Sequence, residues 1–245
     1  MTKIFKQLAR HWAVCLVVFA LLFVQAYCDL SLPDYTSKIV DTGIQQGGIE
    51  SPLPDTLRRS TLDALSLLMS EEDADALQNA YEYYIQDDGV LKLRSDLTAD
   101  ERASLEDAIT TPDIVLYLAA AQTANAPAGQ TSMGMTGLAD LQAASAESTD
   151  TDAETVAPTA EDLDTVCGQF AAMSQMPGFS RDAVQQQLTG AFASLDDTVV
   201  ENLKSQSLLL VGLEYEAQGI AHDVQMHYLY KVGGQMLALT LLMVA

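Results

Sequence analysis

Hydrophobic positions along this chain follow three different patterns. From Trp12 to Cys28 they are continuous and uncharged. With Asp29-Leu30-Ser31-Leu32 the stretch reaches about 20 residues, roughly the helix length that spans ~30 Å of hydrocarbon. Upstream, Ile4, Phe5 and Leu8 recur at helical spacing opposite Lys3, Lys6 and Arg10. That pattern predicts an amphipathic helix over residues 1–11 lying in the cytoplasmic interface, with Trp12 at headgroup depth. The exit from the apolar run, Val24-Gln25-Ala26-Tyr27-Cys28, lacks the small-residue pattern of a signal-peptidase site. Tyr27 also stands where a lipoprotein signal needs a small residue before its cysteine. An uncut first membrane span with its outer extension is expected over residues 12–48, Pro33 interrupting its hydrogen bonding and Gly47-Gly48 stopping the helix.

Beyond the span the apolar residues become periodic. Leu62, Leu65, Leu68 and Met69 form one stripe; Leu77, Ala80, Tyr81, Tyr84 and Ile85 form a second at i, i+3, i+4, i+7, i+8. Ser70 is a cap between them. Thr98 with Glu101 makes a capping box, and Pro112 is expected to begin a further helix through the apolar run Ile114 to Ala121, which is too short to cross a bilayer. Residues 49–122 thus read as one helical lobe. Over 123–159 small and acidic residues dominate, and such a stretch buries too little surface to offset its ordering entropy, which predicts a flexible linker. Periodicity returns with Leu163, Val166, Phe170 and Met173, stops at Pro177-Gly178, and resumes after the cap candidates Ser180 and Ser194, predicting a second lobe over 160–227. The last segment, 228–245, has one charge, Lys231, and reads as the start of a second membrane helix. Ending there without a polar flank suggests a piece of a longer protein or a fragmentary gene product. The expected class is an all-α membrane protein with a mainly helical external insertion.

Charge fixes the expected orientation. The formal net charge is −22, and all 34 acidic residues follow the first apolar run. Lys and Arg beside a span are retained in the cytoplasm, whereas long segments translocate largely regardless of charge. The amino terminus is therefore expected inside and residues of about 45–227 outside, at the plasma membrane. So acidic a surface repels nucleic acid and anionic lipid headgroups. Cys15, Cys28 and Cys167 show neither a disulfide framework nor zinc spacing; a Cys28–Cys167 bridge is disfavoured because external proteins use cysteines in tighter sets.

Candidate chemistry is sparse. Asp150, Asp152, Glu154 and Glu161 fall at positions 1, 3, 5 and 12 of a calcium loop, but Thr155 replaces the turn glycine and Pro158 fills position 9, so the match reads as chance within an acidic linker. His222, Asp223 and His227 suggest a metal or proton site, yet an i, i+5 pair points about 140° apart on a helix. Tyr81, Tyr83 and Tyr84 are candidates for a ligand groove, although three tyrosines in four helical positions cannot all face one way. Gln25 and Tyr27, polar groups in the outer half of the first span, are candidates for lining a substrate path; a helix–helix hydrogen bond or an interfacial anchor is the plainer reading. No metal ligands, cofactor-binding residues or catalytic Ser/His/Asp or Cys/His set are assigned.

The series Asp29-Leu-Ser-Leu-Pro-Asp-Tyr-Thr-Ser-Lys-Ile-Val-Asp-Thr-Gly-Ile44 resembles the outer end of the first transmembrane helix of bacterial ABC exporters. Glu214-Tyr-Glu-Ala-Gln-Gly-Ile-Ala-His-Asp-Val-Gln-Met-His-Tyr-Leu-Tyr-Lys-Val-Gly-Gly-Gln-Met-Leu237 is similar to the approach to their second. The resemblance covers roughly 1–48 and 212–245; the middle would correspond to a large extracellular insertion. It implies the amino-terminal part of a permease exporting a small molecule, drug or peptide. Its partners would be the lipid bilayer, a second half-transporter (homo- or heterodimeric), further transmembrane helices and a nucleotide-binding domain. No G-x-x-x-x-G-K-[ST] loop occurs here, so ATP and magnesium belong, by this resemblance, to a full-length parent, and the segment itself is not an enzyme. The alternative is a membrane-anchored extracellular ligand- or partner-binding protein whose terminal apolar stretch packs inside the soluble domain; an external enzyme would need a catalytic cluster that the sequence does not display.

Overall fold

The structure, a computed structural model, describes residues 12–83, 89–125, 156–193 and 197–244. It is mostly helical, and the chain folds as two compact units, Met1–Gly48 with Asp223–Ala245, and Ile49–His222. The interfacial helix expected over 1–11 and most of the linker expected over 123–159 lie outside the described residues.

In the first unit, α1 (Trp12–Lys38) runs directly into a π-helical segment, Ile39–Gln45. Pro33 sits inside α1 and does not end it. The missing proline N–H costs one bond, and the helix continues beyond it, with the Thr36 hydroxyl donating to the Leu32 carbonyl at 3.0 Å. Termination comes at Gly47 and Gly48, whose φ values of 63° and 82° are left-handed. Apolar side chains of α1 are exposed on every face, among them Leu16, Val17, Phe19, Leu22 and Phe23. Continuous helix from Leu16 to Gln45 is long and apolar enough to cross a membrane by length and composition, and it alone meets that test among the described residues. Helix α8 (Ala221–Val244) starts seven residues before the expected second span and does not meet the test.

The second unit opens with β1 (Thr56–Arg58) and continues through α2 (Arg59–Leu68), α3 (Glu71–Ala80), β2 (Tyr81–Tyr83) and β3 (Val90–Leu93). The strands form an antiparallel sheet in the order β1-β3-β2, pairing Leu57 with Leu91 and Tyr81 with Leu93. Thus the class is not all-α. The apolar stripe expected to run on helically through Tyr84 breaks at Ala80, after which Tyr81 is buried and Glu82 exposed, the alternation of a strand. Tyr84 and Ile85 lie outside the described residues. The caps behave as the sequence leads one to expect: the Ser70 side chain accepts from the Asp73 N–H at 3.1 Å, and Thr98 and Glu101 bond reciprocally.

Helix α4 (Ala99–Asn125) carries Pro112 in its interior, so the break expected there is absent. Burial of Ile109, Ile114, Leu116 and Ala120 along one helix holds both halves against the core. After it come α5 (Ala160–Ser174), capped by a Thr159/Asp162 box, α6 (Arg181–Ala193) and α7 (Asp197–Ala217). Leu163, Val166 and Phe170 of α5 and Leu210 and Leu213 of α7 join Leu57, Leu65, Leu77 and Ile109 in one hydrophobic cluster. The expected lobes over 49–122 and 160–227 are therefore one core, because neither set of amphipathic helices can cover its apolar stripe alone. Leu163→Ala should lower unfolding stability by about 2–5 kcal/mol. Amide exchange should rise together at Leu57 and Leu91 and in α5, whereas independent lobes would confine the change to residues after 156.

Candidate functional site

Among the described residues of the second unit, the most heavily bonded polar group is the carboxylate of Glu214, only 1% exposed. Extended backbone at Arg58, the residue before α2, aims its N–H at Glu214 Oε1, 2.7 Å away. The same residue's Nε donates to both carboxylate oxygens at 3.1 and 3.2 Å. Thr61, in the first turn of α2, donates its hydroxyl to Oε2 at 2.7 Å, and Gln218, one turn further along the chain from Glu214, donates Nε2 to Oε1 at 2.9 Å. A carboxylate at the start of α2 also complements the partial positive charge of the free N–H groups there.

Neighbouring bonds extend this clasp along β1. Thr56 Oγ1 donates to Gln218 Oε1 at 2.8 Å, and Gln218 Nε2 reaches the Thr56 carbonyl at 3.2 Å. The Asp55 N–H donates to the Tyr215 hydroxyl at 2.9 Å. On the outer side Arg58 Nη1 pairs with Asp164 of α5. Burial disfavours the charged guanidinium, but Glu214 and then Asp164 more than offset this and raise its pKa above the ordinary arginine value. The arrangement fastens the first strand of the unit to its last helix.

Two further buried groups adjoin it. Asp113 of α4 is 1% exposed, and its Oδ2 has no hydrogen-bond partner. Burial, and then the charge of Glu214, push this carboxyl well above the usual range. Cys167 lies 4.0 Å from Thr61 Oγ1, and burial raises its thiol to about 12; it and Cys28 are both free thiols, so the two form no bridge. Tyr81 donates its hydroxyl to the Pro54 carbonyl at 2.7 Å and is buried, which removes it from any surface groove.

Among the described residues the sequence-derived candidates lie on separate elements. Gln25 and Tyr27 are exposed on α1, and His222, Asp223 and His227 are exposed on α8. Asp150, Asp152, Glu154 and Tyr84 lie outside the described residues. No group of three His, Cys, Asp or Glu side chains able to hold a metal occurs among the described residues. An open cleft of ≈ 430 Å³ between α3 and α4 has Ala80, Leu97 and Leu105 on its floor and Asp73, Arg94 and Glu101 on its rim. Those rim charges are engaged locally, by Ser70, Asp96 and Thr98 respectively. No family model, curated protein or solved structure matches this chain.

Truncating one partner of a buried ion pair strands the other's charge, so Glu214→Ala should cost about 3–5 kcal/mol of unfolding stability. The double change Arg58→Met with Glu214→Leu should cost less than Glu214→Ala alone, as read from denaturant midpoints. For Asp113 the sign follows from its raised folded-state pKa. Below the unfolded-state value, near ~4, both states hold the proton and its contribution is whole; as pH rises toward the folded-state value the unfolded chain alone releases it, and stability falls. Asp113→Asn should therefore gain stability over the parent at about pH 7 to 8 and show no advantage near pH ~4, measured as paired melting curves.

Proposed function

We propose that this chain is the amino-terminal part of the permease of an ATP-driven exporter, in which α1 and α8 are the first two membrane helices and the second unit is an external insertion. The observation that carries the reading is α1 itself: an apolar helix continuous from Leu16 to Gln45 with its side chains exposed. Lys3, Lys6 and Arg10 precede its apolar run, and every acidic residue follows Cys28, where that run ends. The two stretches that resemble bacterial ABC exporters, 29–44 and 214–237, supply the family. In support, Gly43 from the first stretch lies against Tyr228 and Leu229 from the second. On this reading Gln25 and Tyr27 belong to the wall of the translocation path, and ATP and magnesium bind a domain of the parent that is not in this sequence.

A membrane-anchored extracellular binding protein is the second reading. It is favoured by one observation, that α8 falls short of the apolar length and composition met by α1. Its polar start, with His222, Asp223, His227 and Lys231, is the cause.

Protease treatment of intact spheroplasts separates the two. With epitope tags at both ends, the exporter reading expects both tags protected, the acidic unit digested, and the remaining membrane fragments resistant to alkaline carbonate extraction. A carboxyl-terminal tag removed from outside would support the anchored binding protein instead, and complete release by carbonate would defeat both.

A further inference from the structure

The seam between the π-helical segment and α8 has three features that a plain pair of packed helices does not need. First, its hydrogen bonds carry one residue too many: the Gln46 N–H donates to the Asp41 carbonyl, five residues back, at 3.1 Å, and the Gly48 N–H to Thr42, six back, at 2.7 Å. A π turn is an α-helix with one residue inserted, rare and short. Second, the Gly43 carbonyl takes a bond from outside its own helix, from Gln225 Nε2 at 3.0 Å. Third, the seam is tight at two glycines, most firmly at Gly48, whose neighbours are the Tyr228 Cβ and the backbone of α8. A Cβ at Gly43 would stand 2.7 Å from Leu229 Cδ2, and one at Gly48 would stand 2.9 Å from Tyr228 Cβ and 3.1 Å from Gln225 Cα.

We propose that residues 39–48 and their seat on α8 form a two-state latch. In the state described here the extra residue is stored in the π segment, Gly43 faces α8, and the seam is shut. In the second state the extra residue passes to Gly47-Gly48, whose left-handed backbones accept it, and Ile39–Gln45 becomes α-helical. The Gln46 N–H then moves from the Asp41 carbonyl to that of Thr42, displacing the Gly48 N–H. Relative to α8, α1 turns by the increment of one helical residue, about 100°, and shifts about 1.5 Å along its axis. That turn replaces Gly43 at the seam by a residue with a side chain, so register and seam opening are coupled. Gln225 holds the shut state by its bond to Gly43, and the turn carries Gln25 and Tyr27 to a new face. The latch's role in transport rests on the function proposed above; the change of register does not.

Cys28 is a built-in reporter, being fully buried on a helix whose adjoining Tyr27, Asp29 and Leu30 are exposed. The test uses the full chain in detergent micelles, in a Cys15→Ala, Cys167→Ala background, with N-ethylmaleimide labelling of Cys28 followed by mass spectrometry. Gln225→Leu should raise the labelling rate roughly tenfold, the scale that loss of one hydrogen bond sets, and Gly43→Val should raise it further. Deleting Thr42 removes the stored residue without turning α1, so in the deletion background Gln225→Leu should no longer raise the rate. Amide exchange over residues 57–93 confirms that each variant retains its fold. An unchanged rate in both Gln225→Leu and Gly43→Val would overturn the latch, as would an increase that survives the deletion, which is the mark of simple loosening. Carbonate extraction of the same variants from cells reports separately on the membrane reading, so either idea can fail while the other stands.

Discussion

A charged carboxylate removed almost wholly from water is the constraint around which the larger unit is arranged. Desolvating Glu214 costs several kcal/mol unless donors surround it. The donors come from three places in the sequence: the Arg58 backbone and side chain, Thr61, and Gln218. To satisfy them β1 must lie along α7, α2 must begin beside it, and Asp164 must bring α5 to the other end of the same guanidinium. Apolar burial supplies most of the stabilisation, but it is non-directional. The clasp makes one register much better than its neighbours.

The first unit obeys the opposite rule. The first half of its long helix is apolar in sequence and leaves its apolar side chains uncovered, the pattern expected where hydrocarbon replaces water. Where α1 gives way to the π segment, contact is made through backbone, with glycine against Tyr228 and Leu229. Small residues let helix backbones approach closely, which matters most where no hydrophobic effect drives helices together. Helix α8 combines both characters along its length: its first turns carry His222, Asp223 and His227, and its last expose Leu237, Leu241 and Leu242.

Features with local causes could be read from the sequence. The caps at Ser70 and Thr98, the glycine stop after Gln45, and the buried stripe Leu163, Val166, Phe170 each follow from residues within one or two turns. The strands could not, since each is three or four residues long and is held by a partner elsewhere in the chain. Leu77, Ala80 and Tyr81 suit a helix as well as the end of one, and only β3, pairing with Tyr81–Tyr83, decides. Pro33 and Pro112 read as breaks because a proline removes one bond locally; the rest of each helix outweighs that loss. Of the clasp, the local traces are an acid directly after the apolar run Leu208 to Leu213 and Gln218 one turn beyond it, whereas Arg58 lies 156 residues upstream. The candidates Gln25 and Tyr27 have no such structural signature, and they rest on being polar positions within an apolar helix.

Fastening a first strand to a last helix also has a consequence in time. At synthesis rates of about 5–20 residues per second, the 156 residues between Arg58 and Glu214 take on the order of ten seconds to make. During that interval the guanidinium has no Glu214 to meet, and β1 has no α7 to lie against. The unit can close only after nearly all of it has left the ribosome, so its nascent amino-terminal half must stay soluble on the strength of its own acidic surface.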